Sequence, residues 1–363
     1  VPRPGSSSKA ASRPEPIPVT ILTGFLGAGK TTLLNRLLQL PELADTVVLI
    51  NEFGEISLDH LLIEPVAGDV FSLPGGCLCC VVSDDLLATL EDLIRRRDNG
   101  RITPFRRVVI ETTGLADPVP VLQSAAQHPY LGLRYAIDGV VAVVAVPDAV
   151  AVLAAHEEAR RQILFADRVV LSKSARASAA EITSAQLAIE AINPGVSVLD
   201  MDEGEAGPDA IFGIAPLGEA GEARVNRWLS SAAPLPHGDR IQSAVLWRDR
   251  PLPPGALELF TELMSSTYGS RILRLKGLLA LQDDPEKPVV VHGVQHVFEP
   301  PRRLAAWPDD DRRSRLVVIA RDLDPDLLAR IYDALAGMAV VDTPDAAALK
   351  DNPLAPKRGG LLG

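Results

Sequence analysis

One stretch limits the folds open to this 363-residue chain more than any other: Gly24-Phe25-Leu26-Gly27-Ala28-Gly29-Lys30-Thr31-Thr32. It fits the G-x-x-x-x-G-K-[ST] template at Gly24, Gly29, Lys30 and Thr31. Val19-Thr20-Ile21-Leu22 ahead of it reads as a short buried strand, and Leu33-Leu34-Asn35-Arg36-Leu37-Leu38 behind it has helical apolar spacing. Strand, glycine-rich turn and helix in that order aim backbone N–H groups at a helix N-terminus, where phosphate oxygens bind. Lys30 then reaches the β- and γ-phosphates, the Thr31 hydroxyl ligates Mg²⁺, and Gly27, Ala28 and Thr32 complete the cradle. The alternative is a glycine-rich turn that binds nothing. The full motif, with Lys and Thr in place between strand and helix, points instead to a nucleoside triphosphate.

Beyond this motif, short apolar runs alternate with helical patterns. Thr46-Val47-Val48-Leu49-Ile50 reads as a strand ending in Asn51-Glu52-Phe53-Gly54-Glu55. That end suits either a loop reaching the phosphates and Mg²⁺ or a surface turn with solvated carboxylates. A helix is expected from Asp84 to about Arg96. Arg107-Val108-Val109-Ile110-Glu111-Thr112-Thr113-Gly114 is a strand ending in a carboxylate and then a glycine. Glu111 can hold the Mg²⁺ shell there, and the Gly114 N–H can sense the γ-phosphate. Asp117 is placed to cap the next helix. Gly139–Val146, Arg168–Ser172 and Val196–Leu199 supply further buried strands. The alternation predicts an α/β fold, a P-loop NTPase with a doubly wound, mostly parallel sheet. Lys30, Glu52 and Glu111 are its candidate catalytic residues.

The only cysteines are Cys77, Cys79 and Cys80. A C-x-C-C array can bind a soft or borderline metal such as Zn²⁺ as thiolates. Three sulfurs leave a position open for an exchangeable ligand, which Glu55 or a histidine can fill. Free cysteines are otherwise small buried hydrophobes, and the array by itself lacks the second half of a zinc knuckle. No disulfide framework can be built from it, so a cytoplasmic location is expected.

Residues 1–16 and 342–363 read as tails, 17–203 as the P-loop domain and 204–240 as a Gly-, Ala- and Pro-rich linker with one short helical piece. Residues 241–341 read as a smaller α+β domain. Its strands are expected at 241–247, 272–280, 288–293 and 315–320, with helices at 254–266 and 324–336. His292 and His296 are read as surface or packing residues. The net charge of −11 argues against nonspecific binding to nucleic acid or an anionic membrane. No apolar run reaches the length of a membrane span.

Together these blocks resemble the CobW-type P-loop GTPases, regarded as metallochaperones or metal-insertion factors. The matching stretches are Gly24–Thr32, Asn51–Glu55 with Asp59, Gly75–Cys80, Glu111–Pro118, Ala166–Lys173 and Gly293–Trp307. They span about residues 17–341 in the family's order, with the YjiA-like branch the most similar. The resemblance implies GTP/GDP and Mg²⁺ as cofactors and Zn²⁺ as the metal, with Co²⁺ or Fe²⁺ as other candidates. It implies thiolates from Cys77, Cys79 and Cys80, an oxygen ligand from Glu55, and Mg²⁺ at Thr31. Ser172 and Lys173 fall in the family's guanine loop. A client metalloprotein contacting the C-terminal domain is the expected partner, with the chain a monomer or a nucleotide- or metal-dependent dimer. Two other readings stand beside it: a nucleotide-gated regulatory binder with little hydrolysis, and a cobalt-handling factor in cobalamin-related assembly, including an ATP user. His-rich metal-storage runs, frequent in the family, are absent.

One departure bears on the base. The family's guanine loop reads Asn/Thr/Ser-Lys-x-Asp, whereas this chain has Ser172-Lys173-Ser174-Ala175. The missing carboxylate normally accepts from guanine N1–H and the exocyclic amine. Such charged hydrogen bonds are worth about 1.5–3 kcal/mol each. The sequence therefore predicts relaxed base selectivity between GTP and ATP.

Overall fold

The computed structural model describes residues 16–50, 70–72, 84–213, 241–298 and 300–337. Seven strands form an all-parallel sheet: β1 (Ile17–Gly24), β2 (Thr46–Ile50), β3 (Val70–Ser72), β4 (Arg107–Glu111), β5 (Tyr135–Ala145), β6 (Arg168–Ser172) and β7 (Ser197–Asp200). Their order is β3-β2-β4-β1-β5-β6-β7. Parallel strands need crossovers on both faces, which is why the central strands are continuous Val/Ile/Leu runs. Val141, Val143 and Val170 pack toward helix α1 (Lys30–Leu38), which buries Leu33, Leu34, Leu37 and Leu38. The opposite face divides between two groups of helices. Helices α2 (Asp84–Asp98) and α3 (Val119–Gln127) cover Val19, Ile21 and Ile110; the short α4 (Leu131–Arg134) follows. Helices α5 (Ala149–Ala155), α6 (Glu157–Phe165) and α7 (Ala179–Ile192) cover Ala142, Val144, Val169 and Leu171. The doubly wound sheet expected from the alternation is present.

One strand boundary differs from the sequence reading. β5 begins at Tyr135 rather than Gly139, because Tyr135–Ile137 pair with Ile17–Val19 ahead of an irregularity in the register. The Tyr135 hydroxyl donates to the Leu90 carbonyl at 3.1 Å, which fixes this start against α2. The stretch from Gly204, linker-like in composition, still packs: a short helix α8 (Pro208–Ile211) buries Ile211 and Phe212 in the α1-side core. The Arg107 guanidinium sits 4.2 Å from the Phe212 ring centre. A four-residue helix opened by Gly207-Pro208 is too short to show a period.

The second unit is an antiparallel sheet of β8 (Ile241–Arg248), β9 (Ile272–Leu279), β10 (Val289–Val294), β11 (Val297–Phe298), β12 (Arg302–Arg303) and β13 (Ser314–Arg321). The order is β11-β10-β9-β13-β8, with β12 on β10. Helices α9 (Pro254–Ser266) and α10 (Pro325–Ala336) cover one face, seating Phe260, Met264 and Tyr332 on Leu275, Val291, Leu316 and Val318. The other face supplies Leu273, Val294 and Ile319 to the core of the first unit. Each such buried side chain contributes on the order of 1.5–3 kcal/mol. Polar contacts bridge the same boundary. Asp167, just before β6, accepts from Arg274 and, at 2.7 Å, from Lys276; Gln123 donates to Gln295 at 2.8 Å. Arg274 also donates to the carbonyl of Ala166 at 2.5 Å. His296 is a packing residue, its Nδ1 2.8 Å from the Ser265 carbonyl at the end of α9. No helix among the described residues is long and apolar enough to cross a membrane.

Candidate nucleotide and metal site

β1 lies at the point where the strand order reverses, the position at which open parallel sheets bind ligands beyond their C-terminal edge. Gly24 pairs with Val143 at φ +145°, and a Cβ there would lie 2.4 Å from the Val143 carbonyl oxygen. The next turn carries Gly27 at φ +67° and Gly29 at φ +96°, and Gly29 occupies the position immediately before α1. Both lie in the left-handed region that side chains resist. The loop therefore curls over the helix N-terminus, and the first turn of α1 holds no acidic residue to compete for its N–H groups. Lys30 folds along this loop, its Nζ donating to the Gly24 carbonyl at 2.8 Å. An ammonium held there lies within reach of phosphates seated in the cradle.

Register brings the candidate Mg²⁺ groups together. Leu22 stands opposite Glu111, so the carboxylate emerges beside the start of the loop. The Thr31 hydroxyl donates to Glu111 Oε1 at 3.1 Å, and Glu111 is only 3 % exposed. A hydroxyl and a buried carboxylate in contact at a phosphate-binding turn are hard oxygen donors that fit Mg²⁺. Glu111→Gln keeps the shape and removes the charge. It is expected to raise the Mg²⁺ concentration for half-maximal GTP binding about tenfold, measured by titrating Mg²⁺ against a fluorescent GTP analogue. An unchanged midpoint would remove Glu111 from the ion's shell.

The turn after β4 packs against the P-loop. A Cβ on Gly114 would lie 2.7 Å from the Leu26 backbone nitrogen, so the turn and the P-loop touch. Helix α6 grips this turn through residues that sequence reading had not marked. Gln162, 1 % exposed, donates to the Gly114 and Ala116 carbonyls at 3.1 Å each. Arg161 pairs with Asp117, whose other oxygen accepts the Val119 N–H at 3.0 Å in the turn before α3, where Pro118 rather than Asp117 takes the cap position. A buried glutamine in an otherwise apolar helical face was the only available signal. Beside the loop, small side chains at Ala142, Ala145, Ala149 and Ala159 leave a cavity of about 300 Å³.

After β6, Ser172 and Lys173 act on the loop itself. The Ser172 hydroxyl donates to the Ala28 carbonyl at 2.5 Å, and Lys173, at φ 57°, donates through Nζ to the Gly27 carbonyl at 2.8 Å. The structure thus brings together Gly24, Gly27, Ala28, Gly29, Lys30, Thr31, Thr32, Glu111, Gly114, Ser172 and Lys173 around one mouth. Glu52, Glu55, Cys77, Cys79 and Cys80 lie outside the described residues. Among the described residues there is no cluster of three or more His, Cys, Asp or Glu side chains arranged to hold a metal ion.

An assembled P-loop at the switch point of a parallel sheet, with Thr31 hydrogen-bonded to Glu111 and with Ser172 and Lys173 fastened to the loop, defines a P-loop nucleotide-binding protein. Residues 18–200 match the nucleotide-binding domain of the CobW/HypB/UreG family, and 241–336 match the cobalamin synthesis protein CobW C-terminal domain. The chain belongs to this family of P-loop GTPases. It is 34 % identical over 328 residues to the zinc chaperone YjiA of Escherichia coli, covering 89 % of this chain and 99 % of that one. It is 31 % identical over 354 residues to the zinc chaperone CobW of Pseudomonas aeruginosa, covering 88 % and 92 %. The crystal structure of Zn(II)-bound YjiA GTPase from E. coli superposes with a TM-score of 0.64 at 27 % identity, over 88 % of this chain and 99 % of that one.

Proposed function

We propose that this chain is a GTP-dependent metallochaperone: it binds Mg-GTP at the P-loop, holds a transition metal at Cys77, Cys79 and Cys80, and uses hydrolysis to release that metal to a client. The observation that carries the reading is one of register. Ile50 stands opposite both Glu111 and Ser72, so β2, β3 and β4 end side by side at the edge that holds the phosphate cradle. The segments Asn51–Glu55 and Gly75–Cys80 start from those strand ends. Segments rooted there can be ordered by γ-phosphate and Mg²⁺ contacts and loosened by hydrolysis. Zinc, the metal in the names of the relatives above, is the expected cargo, with Co²⁺ and Fe²⁺ as competitors that thiolate chemistry alone does not reject. Glu55 is proposed as the oxygen ligand.

In the hydrolytic step, Lys30 and the N–H groups of Gly27–Thr31 meet the negative charge that spreads over the β- and γ-phosphate oxygens. Bound Mg²⁺ supplies charge neutralisation there. Thr31 and Glu111 would hold it, and Glu52 is proposed on the side of the attacking water. The Gly114 N–H, braced by Gln162, can report whether the γ-phosphate is present. The C-terminal unit is proposed as the client-contacting surface.

Phosphate release from GTP, measured with and without equimolar Zn²⁺, tests this. Wild type is expected to change its turnover severalfold when zinc is added, and Cys79→Ser to lose that response. Zinc-independent turnover in both proteins would favour a regulatory binder whose thiols are not coupled to the nucleotide.

A further inference from the structure

We propose that Asp202 reads the purine base, replacing the carboxylate that is missing at position 175. The proposal rests on the P-loop nucleotide reading above. The sequence alone points to relaxed selectivity, because Ala175 follows Ser172-Lys173-Ser174. The fold brings a second carboxylate to the same place. β6 and β7 are parallel neighbours with Leu171 opposite Asp200, so the residues leaving β7 stand beside those leaving β6.

The contacts are specific. Asp202 Oδ2 lies 3.3 Å from the Ala175 backbone nitrogen and 3.4 Å from the Ser174 hydroxyl. Its Oδ1 lies 3.5 Å from both terminal nitrogens of Arg36 in the last turn of α1. Asp200 has a different role. Its Oδ1 accepts from the Ser174 hydroxyl at 2.6 Å and from the Asp202 N–H at 2.8 Å, tying the two loops together. Asp202 therefore sits on a braced turn, yet all its own side-chain contacts are long. An ionised carboxylate has about four acceptor sites, and the four donors now at them all lie at 3.3–3.5 Å, so two shorter donors from a ligand can displace them. Its side chain remains 16 % exposed, and Ala175 contributes only a methyl group in front of it.

The location suits a base. Lys173 and Ser172 fasten this loop to the Gly27 and Ala28 carbonyls, so a base extending from phosphates in the cradle passes along Lys173 toward residues 174–175. Guanine presents N1–H and an exocyclic amine on one edge, a donor pair that a carboxylate accepts in bidentate fashion. Adenine presents an unprotonated N1 there and is repelled.

The test is competition of GDP, ADP and xanthosine diphosphate against a fluorescent nucleotide, using the full chain with Mg²⁺. Wild type is expected to prefer GDP over ADP by about a hundredfold, as two charged hydrogen bonds imply. Asp202→Asn should lose GDP affinity by at least about tenfold and gain xanthosine diphosphate affinity, because the amide donates to the carbonyl that xanthine carries at C2. Asp202→Ala should bind GDP and ADP alike. Adding Ala175→Asp to it should restore the GDP preference, a result that a merely unfolded or loosened protein cannot give. Unchanged ratios in Asp202→Asn, or a wild type that does not separate GDP from ADP, would overturn the role of Asp202 and leave the P-loop reading standing. A wild type that binds none of the three would overturn both.

Discussion

Lys30→Ala is expected to lower kcat/KM for GTP about a thousandfold while leaving the thermal midpoint of the nucleotide-free protein nearly unchanged. The partners of the Lys30 ammonium include the Gly24 carbonyl at the end of β1, at 2.8 Å, and the Phe25 carbonyl at 3.4 Å, where the strand opens into the loop. Water can replace those contacts when the side chain is cut back. No water can replace the ammonium against phosphate oxygens in the reacting state, where a single preorganised donor is worth about two to three powers of ten in rate. The same ammonium also contributes to binding the triphosphate itself. Lys30→Arg is expected to fail as well, because a planar fork does not follow the path that a narrow ammonium takes through this loop. Steady-state phosphate release, read beside a thermal melt, checks both parts. Activity within tenfold of wild type in Lys30→Ala would contradict the phosphate role.

Asp167→Ala is expected to cost about 3–5 kcal/mol of stability, measured by denaturant unfolding of the full chain. Asp167 and Arg274 are almost wholly buried, at 8 % and 3 % side-chain exposure, and they join the two units. Burial by itself would raise the Asp167 carboxyl. Arg274, Lys276 and His292 overcome that and hold it well below the usual carboxylate range. Removing the carboxylate leaves the Arg274 guanidinium buried with only the Leu164 and Ala166 carbonyls. Replacing both partners with apolar residues of similar size, Asp167→Leu with Arg274→Met, should therefore cost less than the single change. The pH dependence has the same origin. A carboxyl depressed in the folded state contributes its full stability above the unfolded value of about 3.9, and the contribution falls away as pH drops toward the folded value. Wild type should thus lose stability steeply below about pH 4, and Asp167→Ala should show a shallower acid limb. Equal limbs would mean that the pair does not join the units energetically.

Much of the molecule was legible because its signals are local. The P-loop, the apolar run of β5 and the 3.6-residue spacing of α9 and α10 each lie within one window of sequence. Glu111 was legible because a carboxylate at a strand end meets the loop of its neighbour in any parallel sheet of this kind. Ser172 and Lys173 were singled out by pattern, and the structure shows them fastening the P-loop. The remaining features depend on register between distant strands. Gln162 meets Gly114, Arg274 meets Asp167, and Asp202 meets Ala175 only because the sheet order and the docking of the second unit bring them together. The acidic run Asp200-Met201-Asp202-Glu203 after the last parallel strand was the one sequence cue to the base side, and it resembled an ordinary solvated loop. Tyr135 was missed as a strand start because Asp138-Gly139 looks like a turn. In the structure Asp138 is buried and accepts from the Thr20 hydroxyl at 3.0 Å.

The central claim is that nucleotide state controls metal held by the thiolates. Titrating Co²⁺ into the full chain, and following thiolate-to-cobalt absorption, tests it most directly with no nucleotide, with Mg²⁺ and a non-hydrolysable GTP analogue, and with Mg²⁺ and GDP. The account predicts markedly tighter binding in the triphosphate state than in the other two, and loss of the absorption band in Cys79→Ser. Equal affinity in all three states would contradict it, because the P-loop and the cysteines would then work independently.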